Sequence, residues 1–457
     1  MIDRASFYAL RDQRTVEYGV PRILGIPIGI AIGQDAAETR SGQLCALALV
    51  NMLARVYHSL RILVPEVPLL VPADAKASTL DEACREIILR IDPFNDVRVQ
   101  SVDSVGFLPS GRSVGLGCAV PPTALCIGAS GFLGEIGPDR IAFSDYGGFY
   151  IGSGVAACLG AAGALRLAAG NAVMARRVSF WDFTDGAAAT TGPPLSVGPI
   201  DVGHVWMVGA GAVGSAVAYW LGFPGVRGPW TIIDKDHVEL HNTNRSLCLF
   251  PEDAGWPAGT AVEKAPLVAA RIGAESVVDE YCHWAAGYRG RLPDLVLPLA
   301  NDNGARHAIS ALGQPLLLHA ATGQSWESHL HRHVAGLDDC IDCRLPEPDT
   351  VRLKCSEGSL PSIAEEASSD AALPFLSGAA GLMLVSALVQ IEQTAFAGHF
   401  LEGRLNRWSL LLDLTQGRSW QESVCGCSEG CRSVPEQNVR RELHGESRWR
   451  FLDSAHS

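Results

Sequence analysis

A glycine-rich turn in the second half of the sequence is followed by a series of polar and cationic side chains. Three glycines have the spacing Gly-x-Gly-x-x-Gly, and carboxylates, an amide and two cations follow them. In order, the series is Gly209, Gly211, Gly214, Asp234, Asp236, Asn242, Arg245 and Lys264. Such glycines permit a tight turn and let the backbone approach a phosphate, which the N-terminus of the next helix binds. Hydride transfer has no need of the cations, so the series favours a site that cleaves ATP between its phosphates.

Three carboxylates are candidates for binding the sugar and a metal ion. Asp234 stands at the end of a predicted strand, where it can accept hydrogen bonds from both ribose hydroxyls. Asp236 is either a ligand or an exposed loop carboxylate. A later predicted strand, Asp294–Leu299, is followed by Asp302, which is placed to hold a Mg²⁺ that bridges phosphates. Asp302 also suits the N-cap of a helix, and the two roles are compatible.

The cations are expected to converge on the phosphates from two elements. Asn242 and Arg245 are predicted on a short helix, one turn apart and facing the same way. Arginine offers a rigid fork that matches phosphate oxygens. Lys264 lies in a predicted helix, Thr260–Ala270. A single lysine is usually a solvated surface residue, so its assignment as a phosphate ligand depends on the other cations.

Short apolar runs supply the strands that must position this site. Val205–Val208 and Trp230–Ile233 are typical of buried strands, and the alanine-rich stretch between them is typical of a helix. The first half repeats this order with a strand, a helix and a strand at Ile26–Ile32, Ser41–Tyr57 and Leu60–Val64. Both halves end in an apolar small-residue helix, which in the second half is Pro374–Ala397. We predict a duplicated α/β fold of two Rossmann-like domains, of which the first lacks the chemistry.

The predicted boundaries follow from composition. Residues 1–181 form the degenerate first domain, and 182–203, rich in Gly, Pro, Ala and Thr, form a linker. Residues 204–435 form the second domain, with the nucleotide site, and 436–457 form a polar tail.

Composition narrows the class of protein. The chain has 457 residues, 47% hydrophobic and 19% charged, which is typical of globular domains. A net charge of −13 argues against a general nucleic-acid binder. The 13 cysteines and the absence of a signal-peptide pattern favour a reducing cytoplasm. We expect no membrane span, because the apolar stretch Ile151–Gly170 is rich in Gly and Ala and carries Arg166, which favours a buried helix.

Cysteines and histidines near the end of the second domain suggest metal ligands. Cys340 and Cys343 have the Cys-x-x-Cys spacing of a zinc knuckle. Two of three later cysteines would complete a Cys₄ site: Cys425, Cys427 and Cys431. Zinc is favoured over a redox pair. The run His329-Leu-His331-Arg-His333 alternates like a strand; its histidines could bind metal, but an exposed strand face is the preferred interpretation.

These motifs together resemble the adenylyltransferase superfamily of ubiquitin-activating enzymes, whose bacterial relatives activate sulfur carriers. The resemblance covers about 202–431. It rests on the ordered series above and on Asn301-Asp302-Asn303, Cys340-Ile-Asp-Cys343 and Cys355. It implies two adenylation-type domains, the first inactive, and a zinc knuckle in the second. It also implies ATP and Mg²⁺ as cofactors beside Zn²⁺.

The resemblance implies a reaction and a role for each residue. The C-terminal glycine carboxylate of a ubiquitin-like or sulfur-carrier protein attacks the α-phosphate of ATP, and an acyl-adenylate forms. Asp234 would hold the ribose, Arg245 and Lys264 would stabilise the phosphate charge with help from Asn242, and Asp302 would hold Mg²⁺. Cys355 would then take the acyl group as a thioester and pass it to a conjugating enzyme, although an ordinary loop cysteine remains the alternative.

Members of this superfamily work as dimers or pseudo-dimers. The degenerate first half would be a built-in partner, although a homodimer stays open. An N-terminal arginine of one unit reaches the ATP of the other, and Arg11 and Arg14 are the candidates here.

Two other functions are alternatives to the predicted adenylation of a carrier protein. One is an NAD-dependent oxidoreductase that uses the same glycine pattern with Asp234 on the ribose. The other is a scaffold that binds nucleotide and a partner tail without catalysis.

Overall fold

In the computed structural model, the described residues are 3–13, 21–101, 106–118, 125–195, 198–312, 314, 316–323, 326–334, 339–341, 373–392, 407–411 and 418–421. Within these ranges the fold is mixed α/β, with two large, parallel-rich sheets. The helices are α1 (Arg4–Arg11), α2 (Pro21–Leu24), α3 (Gln34–Ala37), α4 (Arg40–Ala54), α5 (Leu80–Ile91), α6 (Phe149–Ala168), α7 (Ala212–Leu221), α8 (Lys264–Ile272), α9 (Tyr281–Gly287), α10 (Asn303–Ala311) and α11 (Pro374–Glu392).

The first sheet begins with β1 (Ile28–Ile32), which is buried along its whole length as expected of a central parallel strand. The other strands of this sheet are β2 (Ser59–Leu63), β3 (Asp96–Gln100), β4 (Ser113–Leu116), β5 (Leu125–Ser130), β6 (Leu133–Gly137), β7 (Phe143–Ser144), β8 (Arg176–Ser179) and β9 (Thr184–Asp185). Their order is β3-β2-β1-β4-β5-β6-β8-β9, with β7 beside β5. Pairing is parallel from β3 to β5 and antiparallel from β5 onward.

The second sheet has β11 (Val205–Val208) at its centre. A small pair, β10 (Ile200–Asp201) with β12 (Val226–Arg227), lies outside it. The other strands of the second sheet are β13 (Trp230–Ile233), β14 (Glu275–Val277), β15 (Leu295–Pro298), β16 (Leu316–Gly323), β17 (Glu327–Val334), β18 (Arg407–Leu411) and β19 (Arg418–Gln421). Their order is β14-β13-β11-β15-β16-β17-β18-β19. Pairing is parallel from β14 to β16 and antiparallel beyond.

The two sheets follow the same plan. In each, the first strand of its unit lies between the second strand and a later parallel strand, and an antiparallel extension begins after the fifth position of the path. The duplication into two domains stays a prediction.

Helices from both halves pack into one apolar core between the sheets. Helix α6 packs on α4 and on α11, and α11 packs on α7. Close approach is possible because Gly154 and Gly381 stand at these crossings: an added Cβ would meet Leu382 in the first case and Ala216 in the second. The indole N–H of Trp220 donates to the carbonyl of Gly378 at 2.9 Å. The core is therefore continuous between the halves.

The two longest apolar helices belong to this core. α6 and α11 are long and apolar enough to cross a membrane, yet 83% and 100% of their apolar stretches are buried within the protein. This burial confirms the buried helix predicted at 151–170, with the bounds shifted to Phe149–Ala168.

Most element predictions are confirmed with small shifts. The strands at Val205–Val208 and Trp230–Ile233 have the predicted bounds. The first-half elements shift by one to three residues, and α8 begins at Lys264 rather than at Thr260. The predicted linker contains β9, a 3₁₀ turn at Gly186–Ala188 and β10. The domain boundaries themselves stay predictions.

Candidate functional site

The predicted site lies where three parallel strands end together. Val208 of β11 pairs with Ile233 of β13 on one side and with Pro298 of β15 on the other. Gly209, Asp234 and the segment leading to Asp302 therefore emerge at the same edge of the sheet. In open α/β sheets this edge is where ligands bind.

The three glycines of the turn have different physical roles. Gly209 has φ +110°, and a Cβ there would lie 2.5 Å from the amide nitrogen of Ala300. A Cβ at Gly214 would collide with the carbonyl oxygen of Gly209, so this glycine lets α7 pack close to the turn. At Gly211, the N-cap of α7, a Cβ would meet nothing within 4 Å. The space before this helix N-terminus is open to an anion.

Asp234 is fixed by the backbone around it. One carboxylate oxygen accepts the N–H of Ala210 at 2.6 Å, and the other accepts the N–H of Asp236 at 2.8 Å. Burial raises the pKa of Asp234 despite these hydrogen bonds. A ligand hydroxyl that donated to this carboxylate would offset part of its desolvation.

Lys264 is held over the same edge by Asp236. It is the first residue of α8, is 7% exposed, and its ammonium lies 3.1 Å from the Asp236 carboxylate. The backbone N–H of Lys264 also donates to the carbonyl of Asp236 at 2.9 Å. Asp236 is exposed, which agrees with the predicted alternative of an exposed loop carboxylate. Its carboxylate holds the Lys264 ammonium in place.

The loop that carries Asn242 and Arg245 differs from the prediction. A 3₁₀ turn covers Leu240–Asn242, and Arg245 comes after it rather than on the same helix. The Asn242 side chain accepts the N–H of Glu239 at 3.0 Å, which caps the turn. Arg245 is 8% exposed and donates to the carbonyl of His241 at 2.7 Å. The short turn forms because a side-chain cap replaces helical hydrogen bonds.

An arginine of the first half organises this loop, and sequence analysis missed it. Arg55 follows α4, is 1% exposed, and donates to the carbonyls of Leu247 and Leu249, each at 2.9 Å, and to that of Thr243. It is itself oriented by Asn51 at 2.8 Å. Burial lowers the pKa of Arg55 to about 10. The available signal was an Asn and an Arg four residues apart on an otherwise apolar helix.

Asp302 caps helix α10 as predicted. One carboxylate oxygen accepts the N–H of Ala305 at 3.1 Å, and the residue is exposed. Asp302 also lies near Lys235, whose pKa is raised mainly by its hydrogen bond to Glu280 and to a lesser extent by Asp302. An exposed carboxylate at this edge fits a hydrated Mg²⁺, which is bound through one or two protein carboxylates.

Arg11 is not available to reach another site. Its side chain is fully buried and forms ion pairs with Asp12 at 2.7 Å and Asp92 at 3.0 Å. Removing it from these partners would leave two buried carboxylates without their cation. The other candidate, Arg14, lies outside the described residues.

The predicted cysteine sites fall mostly outside the described residues. Cys340 is half-buried and makes no disulfide with the other described cysteines. The remaining candidates are outside these residues: Cys343, Cys355, Cys425, Cys427 and Cys431.

The histidine run lies on β17, as predicted, but the prediction that these histidines form an exposed face is wrong. His329, His331 and His333 are 6%, 9% and 4% exposed. The sequence could not indicate this, because the chain segment Asp339–Ile341 that returns beside His333 lies beyond the strand.

Part of the chain matches a known protein family. Residues 199–415 match the model of the ThiF family. No curated protein matches the sequence. Three similar solved structures are E. coli MccB with AMPCPP and selenomethionine MccA, E. coli MccB with ATP, and PaaA. Their identities are 15%, 16% and 17% and their TM-scores 0.36, 0.36 and 0.33. Each match covers 49% of this chain. The matches cover 66%, 65% and 73% of the three solved chains, in the same order. The chain thus spans about two thirds of the length of the MccB structures.

Proposed function

We propose a function from the premise that the chain carries a ThiF family domain over residues 199–415. It activates a carboxylate as an acyl-adenylate, at the C-terminal glycine of a ubiquitin-like or sulfur-carrier protein. The observation that carries the proposal is the single edge where the open N-terminus of α7, Asp234, Lys264 and Asp302 emerge together. Cation and carboxylate at a strand-end crevice suit a triphosphate better than a nicotinamide.

The binding step uses the first two strands of the unit. The ribose hydroxyls donate to Asp234, whose raised pKa reflects burial that a ligand hydroxyl offsets. The phosphates lie against the backbone at Gly211 and the N-terminus of α7, where the helix dipole favours negative charge.

The chemical step needs positive charge more than it needs acid or base. A carboxylate oxygen attacks the α-phosphorus, the bond from that phosphorus to the bridging oxygen breaks, and pyrophosphate leaves. Lys264 moves from Asp236 toward the phosphates, a short shift because the pair already lies at this edge. Arg245, held on the loop that Arg55 organises, stabilises the charge that develops. Asp302 is the residue that would hold Mg²⁺, which supplies charge neutralisation of the leaving pyrophosphate.

The thioester step and the structural zinc rest mostly on residues outside the described part of the chain. Cys355 would attack the acyl carbon as a thiolate, form a thioester and release AMP, before transfer to a conjugating enzyme. Cys340 and Cys343, with two of the three late cysteines, would hold a structural zinc.

The first half would serve as a built-in partner in a pseudo-dimer. Support comes from the shared strand order and from the continuous helical core, into which both halves contribute. The reducing cytoplasm proposed from the cysteine content suits a free Cys355 thiol.

The test is ATP–pyrophosphate exchange by the full chain. Candidate carriers and peptides that end in Gly-Gly are supplied with ATP and labelled pyrophosphate, beside the same peptides with an amidated terminus. We expect exchange only with a free carboxylate. ATP binding without exchange for any carrier would favour the scaffold, and reduction of NAD without ATP binding would favour the oxidoreductase.

A further inference from the structure

Three buried histidines meet on one face of the antiparallel extension of the second sheet. His319 lies on β16, and His331 and His333 lie on β17. His319 pairs directly with His331, and His333 pairs with Leu317, so all three share a face. One ring nitrogen from each lies within 4.8 Å of the others.

The three histidines are buried in the protein rather than exposed to solvent. His319, His331 and His333 are 5%, 9% and 4% exposed. The opposite face of β17 packs on α11, where the Ser328 hydroxyl donates to the carbonyl of Leu376 at 2.8 Å. Imidazoles are intermediate in burial in most proteins, so three within one small volume need a physical reason.

One imidazole is oriented as a metal ligand would be. The ring of His333 has its Nδ1 2.9 Å from the backbone carbonyl of Asp339, which can only accept. Nδ1 is therefore protonated, and in the neutral imidazole Nε2 carries the lone pair. The carboxylate of Asp339 lies 3.8 Å from the same ring. Metal-binding histidines commonly donate their second nitrogen to a backbone carbonyl or carboxylate, which fixes the ring.

We propose that His319, His331 and His333 form a binding site for a divalent transition metal ion, with Zn²⁺ the best fit. Imidazole nitrogen suits Zn²⁺, and three protein ligands leave a fourth position for water. Bonds of 2.0–2.1 Å in tetrahedral geometry set the nitrogens about 3.3 Å apart, so binding draws the three rings closer together. This site is separate from the cysteine zinc proposed above, because its ligands are imidazoles on two paired strands.

A neighbouring histidine provides a matched control. His329 lies on the same strand and face and is 6% exposed, but its Nε2 is 3.0 Å from the Glu327 carboxylate. It is not one of the three residues whose ligand atoms cluster. His329→Gln and His331→Gln therefore change the same chemistry at the same depth, two residues apart.

The experiment measures metal content and spectrum in the full chain. The purified protein is stripped with a chelator, reloaded with Zn²⁺ or Co²⁺, and analysed for bound metal. We expect His331→Gln to hold one metal ion fewer per chain than the unmutated protein, and His329→Gln to hold the same number. The affinity lost should exceed about a hundredfold, because even outer-shell changes cost about 10–100-fold.

The cobalt spectrum separates this site from a thiolate site. The difference between the unmutated chain and His331→Gln should contain d–d bands without sulfur-to-cobalt charge transfer. Equal metal content in the two proteins, or a lost band of sulfur character, would overturn the proposal. If His331→Gln does not fold, X-ray absorption of the zinc-loaded unmutated chain decides: an imidazole-bound ion supports the site, and sulfur ligation alone excludes it.

Discussion

The two halves of the molecule share a sheet plan but differ at the turn that follows the first strand. After β11, the chain passes through Gly211 into α7, and the space before that helix is open. After β1, a short helix α3 comes before α4, and the Asp145 carboxylate accepts the N–H groups of Arg40 and Ser41 at 3.1 and 2.7 Å. In the first half, a carboxylate of the protein itself therefore occupies the space before the helix N-terminus, where an anionic ligand could otherwise bind.

Both halves have a glycine that allows close packing of a helix on the preceding turn. The glycine proposed to lie against the phosphates, Gly211, is present only in the second half. A Cβ at Gly42 of α4 would collide with the carbonyl of Ala36, as one at Gly214 would with that of Gly209. The packing requirement at this position does not depend on a ligand. The first half also contributes Arg55, which donates to three carbonyls in the loop of the second half.

The largest effect is expected at Asp302. Asp302→Asn keeps an N-cap side chain for α10 but removes the charge that would hold Mg²⁺. ATP–pyrophosphate exchange should fall by about a hundredfold or more. Cys118, which follows β4 in the first half, is the matched control, and Cys118→Ala should leave exchange unchanged. Full exchange by Asp302→Asn would remove Asp302 from the mechanism.

Arg55 tests whether the first half supports the second. Arg55→Lys keeps the positive charge. The lysine ammonium, however, lacks the planar fork with which the Arg55 guanidinium donates to three carbonyls. The free energy of unfolding should fall by about 3 kcal/mol, and the KM for ATP should rise. Denaturant unfolding and exchange kinetics measure the two effects.

The control for Arg55 is Arg90, a more exposed arginine of the first half that stacks on Phe250 of the same loop region. Arg90→Gln should cost about 1 kcal/mol or less and leave the KM for ATP unchanged. Equal effects of the two substitutions would mean that burial of Arg55 has no special role.

Gly211 and Gly214 separate ligand binding from packing. Gly214→Ala should lower the unfolding free energy by about 1–3 kcal/mol, because the new methyl group meets the Gly209 carbonyl. Gly211→Ala should leave the unfolding free energy unchanged but weaken ATP binding about tenfold, because the methyl group enters the phosphate position. Calorimetry on both variants checks this, and unweakened binding by Gly211→Ala would place the phosphates elsewhere.

The smallest effect is expected at Asp145. Asp145→Ala removes a carboxylate that accepts the first two N–H groups of α4 but leaves the Thr39 cap in place, so the unfolding free energy should fall by about 1 kcal/mol. ATP affinity should not change, because this position is not a nucleotide site. A gain of a second bound ATP in the variant would show that Asp145 alone had closed the first half.

The sequence predicted two strands of the second half to the residue and a third, β15, to within one residue at each end, because fully buried parallel strands are continuous apolar runs. It also predicted that Asp234 and Asp302 follow the ends of two of these strands, where the structure places them, while their roles stay predictions. It did not predict the role of Arg55, since the spacing of Asn51 and Arg55 on an apolar helix does not indicate which residues almost 200 positions away they contact. His319 was missed for the same reason: its partners become neighbours only through the pairing of β16 with β17. The exposed histidine face was wrong because strand alternation does not tell what covers each face.

We expect the second sheet, and not the first, to bind ATP at its strand-end crevice. A crystal structure of the full chain with a non-hydrolysable ATP analogue would show which sheet binds the nucleotide. We expect one nucleotide, with its ribose on Asp234 and its phosphates before α7 near Lys264. A nucleotide bound beside α4, or a nicotinamide ring in the second crevice with ATP excluded, would contradict the account.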